Sequence, residues 1–141
     1  MSAVEPLQRA VYDLLADPDG PTASVGCAVY DEVPEGAALP YVVLGEFDEL
    51  RDDAHRELGA LVTITVHVWS RYRGYRETAR CLDAVQTTLH RARPEVDGFR
   101  DVSIVHDSNA FQRDPDPELR HGIGRFTARL TEGEPTTPEV S

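Results

Sequence analysis

Few residues in this sequence combine the type and the spacing that chemistry requires. His67 lies in a strand-like run and could act as a general base, but no acid partner is recognisable near it. Ser70 closes the same run, yet the Gly-x-Ser-x-Gly elbow that would present a nucleophile is absent. Asp48, Glu49, Asp52 and Asp53 could gather round a hard cation, which needs oxygen ligands on a fixed frame. Nothing beside them supplies that frame, and the stretch reads as a solvated loop. The glycine pattern HGIG, His121 to Gly124, lacks the strand–loop–helix setting of a phosphate cradle. It reads instead as a place where a strand bends or passes close to a neighbour. The five histidines are scattered, and neither CxxC, HxH nor HExxH occurs. Cys27 and Cys81 read as small buried hydrophobes, since a disulfide would require two distant residues to meet in space. No metal site and no cofactor follow from these residues, and the reading is against an enzyme.

The densest group of functional side chains is SRYRGYRE, Ser70 to Glu77. Arg71, Tyr72, Arg73, Tyr75 and Arg76 combine charge with stacking surface, as single-strand nucleic-acid binders do. Tyrosine and arginine are also enriched at protein interfaces. A third reading is architectural, with Gly74 breaking a strand and the arginine stems packing at the start of a helix. Composition weighs between them. The 141-residue chain carries 25 acids against 14 basic residues, all arginine, for a formal net charge of −11. So acidic a surface repels phosphate, which disfavours tight nucleic-acid binding by the chain as a whole. An interface is therefore favoured, with His67, Trp69, Arg71, Tyr72, Arg73 and Tyr75 as its candidates.

These residues need elements to hold them. The length suggests one domain, able to bury roughly 70% of its unfolded surface. No apolar run approaches the ~20 residues of a membrane span. The N-terminus shows no basic segment followed by an apolar one, which suggests assembly in a cytosol. Val4, Leu7, Val11, Leu14 and Leu15 form one helical stripe and predict a helix over Val4–Ala16, stopped by DPDGP. Short strands are predicted at Gly26–Glu32 and Tyr41–Phe47, the second holding Gly45 as a bulge or close approach. DELRDDAHRE, Asp48 to Glu57, reads as a hairpin loop or flexible arm. Ala60–Ser70 is the best strand, with Val62, Ile64, Val66 and Val68 facing the core and a half-polar Thr, His and Trp face opposite. A second helix is predicted over Tyr75–Ala92, with Tyr75, Ala79, Leu82, Val85 and Leu89 as its stripe. Strands near Phe99–Val105 (reaching towards Gln112) and Arg120–Thr131 close the domain, with DPDP as their turn. A phase slip between Ile123 and Phe126 suggests a bulge in the last strand. The expected architecture is α+β: a mostly antiparallel β-sheet, two helices packed on one face, and an extended arm between strands. The domain is expected over 1–131, followed by a polar, Pro-rich tail over 132–141.

Three segments together carry a family resemblance: VYDEVPEGAALPYVVLGEF, then VTITVHVWSRYRGYRE, then RHGIGRFTARL. In order and spacing, from about Leu7 to Leu130, the chain resembles the tail terminator (tail completion) proteins of long-tailed bacteriophages and related tailed particles. The resemblance implies an α+β fold that assembles as a homo-hexameric ring. Such a ring caps the head-proximal end of the tail tube, stops its polymerisation and meets the head connector or stopper. DNA passes through its lumen, and no cofactor or membrane is involved. The implied partners are further copies of the chain, the major tail tube protein and the connector, and the implied location is the tail neck of the virion.

Against that picture the acidic arm takes on a role. Glu46, Asp48, Glu49, Asp52, Asp53 and Glu57 become candidates for a lumen lining or a charged mating face, since carboxylates keep DNA sliding. Two rivals stand beside the terminator. One is another head–tail joining protein, a stopper or minor tail protein. The other is an acidic module that mimics DNA or regulates a host protein.

Overall fold

The computed structural model describes residues 1–71 and 73–134. Helix α1, Val4–Leu15, buries Leu7, Val11 and Leu15 at helical spacing. Its first turn is held from outside: the Glu49 carboxylate accepts the Ala3 N–H at 2.7 Å and the Ser2 hydroxyl at 3.0 Å. An acid at this end is also favoured by the positive end of the helix dipole. The DPDG turn follows, and then one helical turn that the sequence pattern does not predict, α2, Pro21–Ser24. Buried Thr22 donates its hydroxyl to the Leu15 carbonyl at 2.7 Å and locks α2 under the end of α1.

Strands β1 (Ala28–Tyr30), β2 (Tyr41–Arg51) and β3 (Gly59–Arg71) come next, then helix α3 (Arg76–Leu89) and strands β4 (Phe99–Arg113) and β5 (Leu119–Glu132). The sheet order is β1-β2-β3-β5-β4, and every pairing is antiparallel except β1 with β2. β3 and β4 flank β5 in the same direction, and α3 carries the chain between them. The expected α+β class and mostly antiparallel sheet hold. α1 and α3 pack on one face of the sheet, against Val42, Val62, Ile64, Val66, Val68 and Phe126. The other face carries no element among the described residues.

Several boundaries differ from the sequence reading, each for a physical reason. The acidic stretch after Phe47 is half strand: β2 runs to Arg51 and pairs with β3 down to Arg51–Ala60, so only the tip is a turn. Pairing to a long, rigid neighbour overrides its polarity. The stripe of α3 is rotated. Thr78 and Cys81 are buried and Ala79 is exposed, because Thr78 finds a buried hydroxyl partner in Ser70 and Cys81 a covalent one. The bulge expected in β5 is not there. β5 pairs with β3 without interruption over thirteen residues, and Ile123 lies on the opposite face from Phe126. Bulges fall instead in β4, between Arg100 and Ser103 and between His106 and Ser108. The expected β2 bulge is present between Leu44 and Phe47. A Cβ at Gly45 would come within 2.5 Å of the His67 ring, so the close approach needs glycine.

The two cysteines are buried, as expected, but they are also paired. Cys27 and Cys81 form a disulfide with Cα atoms 6.4 Å apart. It ties the segment between α2 and β1 to α3. Separation in sequence concealed what the sheet order brings together. The Pro-rich tail expected over 132–141 lies outside the described residues from 135 onward.

Candidate functional site

The proposed interface residues divide into two groups along β3. His67 and Trp69 belong to the first, on the open sheet face. There β3 and β5 are in register, with Trp69 opposite His121 and His67 opposite Ile123. The Trp69 and His121 rings stack at 4.0 Å and 4°, and His121 stacks on His67 at 4.9 Å. His67 Nδ1 lies 2.7 Å from His121 Nε2, and His67 Nε2 lies 3.1 Å from the Glu46 carboxylate. Partners assign the protons. Glu46 accepts from His67 Nε2–H, so a neutral His67 accepts at Nδ1, and His121 donates its Nε2–H to it. His67 thus has the acid partner that the sequence does not reveal. The β2 bulge swings Glu46 across onto this face, and a register shift of that kind leaves no mark in residue spacing.

The electrostatics follow from burial and charge. Glu46 is held below its usual 4.5, first by a hydrogen bond from backbone and then by the His67 N–H. His121 is held below its usual 6.5, chiefly by burial and next by repulsion from a protonated His67. The result is a chain of acid, imidazole, imidazole and indole running across the open face of the sheet. In the sequence His121 stands out only as part of a glycine motif. Nothing in the sequence shows that it sits opposite Trp69.

The second group stands at the end of β3 and the start of α3. Arg71 and Arg73 are exposed, and Tyr75 is half-buried in a T-shaped contact with Phe111 at 5.8 Å. The Arg120 guanidinium lies over the Tyr75 ring at 5.4 Å. Tyr72 lies outside the described residues. Arg76 and Arg80 extend the group along α3, and with Arg71, Arg73, Glu77, Val25 and Cys81 they line a hollow of about 330 Å³. Arg80 is one helical turn beyond Arg76 and was legible from its spacing.

The six acids of the arm do not form one surface. Glu46 joins the histidines, and Glu49 holds the start of α1. Asp53 accepts the Gly59 N–H at 3.1 Å and faces Arg51. Glu57 accepts from Arg100 at 2.9 Å across to β4. Asp48 and Asp52 are exposed, with no side-chain partner among the described residues. Among the described residues no group of three or more His, Cys, Asp or Glu could hold a metal ion. No described helix is long and apolar enough to cross a membrane. Ser70 is buried and bonded to Thr78, which gives it an architectural place.

The described surface is thus a sheet with one bare face and clusters of opposite charge at the two ends of β3. The chain belongs to the tail completion protein gp17 family, whose model matches residues 9–131. It is a structural tail-completion protein of the bacteriophage virion class. A chain in the solved virion of a native gene transfer agent particle is similar, with a TM-score of 0.83 and 28% identity. That likeness covers 92% of this chain and 98% of the other. No curated protein matches the sequence.

Proposed function

We propose that this protein is a tail terminator: a ring, six-membered as in the family it resembles, that caps the head-proximal end of a tail tube. The ring ends tube polymerisation, joins the tail to the head connector or stopper, and lets DNA pass through its lumen. The match to the tail completion family, with the likeness over nearly the whole length of both chains to a chain in a gene transfer agent virion, carries this reading. Charge supports it. Six copies would carry −66, six times the net charge of −11, and a lumen that repels phosphate lets DNA slide. Cyclic rings need two different side faces, because neighbours meet head to tail. The bare sheet face and the two unlike ends of β3 offer such faces. Glu46, Asp48, Glu49, Asp52, Asp53 and Glu57 are the candidates for a lumen lining or for a charged mating face, and Asp48 and Asp52 have no side-chain partner among the described residues.

Electron microscopy of the particle neck and native mass spectrometry of the chain with its tube protein test the reading. A ring is expected, with tubes of defined length when the protein is present and overlong tubes when it is withheld. A chain that stays monomeric beside tube protein and leaves tube length unchanged refutes it.

A further inference from the structure

The two ends of β3 have opposite charge and cannot meet within one molecule. Around its C-terminal end Arg71, Arg73, Arg76 and Arg80 stand against a single acid, Glu77. None of these four guanidiniums has a carboxylate partner among the described residues, and Glu77 accepts the backbone N–H of Arg71 instead. They also crowd the positive end of the α3 dipole, an arrangement that costs stability until an anion approaches. At the other end, the β2–β3 hairpin from Glu46 to Glu57 holds six acids against Arg51 and Arg56. Its two unpartnered carboxylates, Asp48 and Asp52, are exposed. Asp48 pairs across the ladder with Thr63, and Asp52 bonds the Gly59 backbone. At about 3.4 Å per residue both lie roughly 25–40 Å from Arg71.

From this separation and this complementarity we infer that the arginine hollow at the start of α3 is the receptor for the β2–β3 hairpin of a second copy of the chain. Asp48 and Asp52 of one copy face Arg71, Arg73, Arg76 and Arg80 of the next. The contact is heterologous, each copy giving its hairpin in one direction and its hollow in the other, so it propagates from copy to copy and builds a ring when the rotation between neighbours closes. Arginine suits the task, since its planar fork grips a carboxylate at two points. The inference rests on the ring reading above and names the pair of surfaces that would build it. An oligonucleotide phosphate is the other anion that four arginines could take. The chain's net charge of −11 and the matching carboxylates on its own far end favour the second copy.

Charge exchange tests it on the full chain, with ring formation scored by native mass spectrometry in the presence and absence of tube protein. One variant carries Arg73→Glu and Arg76→Glu, another Asp48→Arg and Asp52→Arg; all four positions are exposed. Each variant alone should lose ring by about tenfold or more, since like charges then face each other. An equal mixture of the two should restore rings of alternating copies, and so should the four changes in one chain. Wild-type rings with unimpaired single variants, or single variants that the mixture does not rescue, overturn the inference and leave the ring reading standing. A wild-type chain that forms no ring with or without tube protein overturns both. Binding of a labelled single-stranded oligonucleotide that Arg73→Glu and Arg76→Glu abolish, with rings intact, assigns the hollow to phosphate and also overturns the inference.

Discussion

His121 shows how a single residue here depends on its neighbours. It is half-buried beside Trp69 and shares a hydrogen bond with His67, so its neutral form is preferred in the folded chain and its pKa lies below the usual 6.5. The unfolded chain then binds the extra proton more readily, and acid favours unfolding. Stability is expected to be full above pH 6.5 and to fall as pH drops through that value towards the folded pKa. Glu46 acts in the same direction at lower pH. Its depressed pKa contributes stability above 4.5 that is lost as pH falls through the folded value. Urea midpoints measured from pH 7.5 to 4 should therefore slope downward in two stages. His121→Gln should flatten the upper stage and leave the lower one. An unchanged slope between pH 7 and 5 in that variant would show that His121 carries no proton linkage.

At the scale of elements, α3 lies so close to β5 that a glycine is needed between them. A Cβ on Gly122 would stand 2.9 Å from the Thr78 methyl and 3.5 Å from Leu82. Gly122→Val is expected to push α3 outward and cost roughly 1–3 kcal/mol, read as a lower urea midpoint at constant m. The disulfide closes a 54-residue separation between α3 and the short segment leading to β1. Replacing both Cys27 and Cys81 with alanine should lower stability by about 2–4 kcal/mol, mainly by freeing the unfolded chain. Calorimetry of the double variant against the oxidised protein measures it. Much of this layer was legible in the sequence. The valine face of β3 and the apolar stripe of α1 announced the core, and the isolated glycines announced close approaches. What escaped it shares one cause. The rotation of α3, the Cys27–Cys81 bond, the Glu46–His67 pair and the His121–Trp69 stack all arise where distant segments meet. Local period carries no record of those meetings. The arginine cluster was visible because its residues are close in sequence; its relation to the hairpin became visible only along the length of β3.

Taken whole, the molecule carries unlike charges at the two ends of β3, and its association should respond to salt. Screening shortens the reach of exposed charges to about 8 Å at physiological ionic strength and about 3 Å at 1 M. Ring fraction is expected to decline between low and high salt, while the monomer's melting temperature changes little. Sedimentation at a series of salt concentrations checks this, and rings that tighten with salt would point to an apolar contact instead. The outer edge of β4 bears on the same question from another side. β4, Phe99–Arg113, has no second strand beside it among the described residues, and a long edge is a template for runaway sheet extension. The chain after α3 covers part of that edge: the Arg91 N–H donates to the Ile104 carbonyl at 2.7 Å, the Ile104 N–H to the Ala92 carbonyl at 3.1 Å, and the His106 N–H to His90 Nδ1 at 3.0 Å. The two bulges in β4, with Asp101 at a positive φ of 52°, interrupt its ladder and break the edge into short runs. Copies are therefore discouraged from zipping side by side into fibres. The proposed terminator of another polymer has, in its own edge strand, a guard against becoming one.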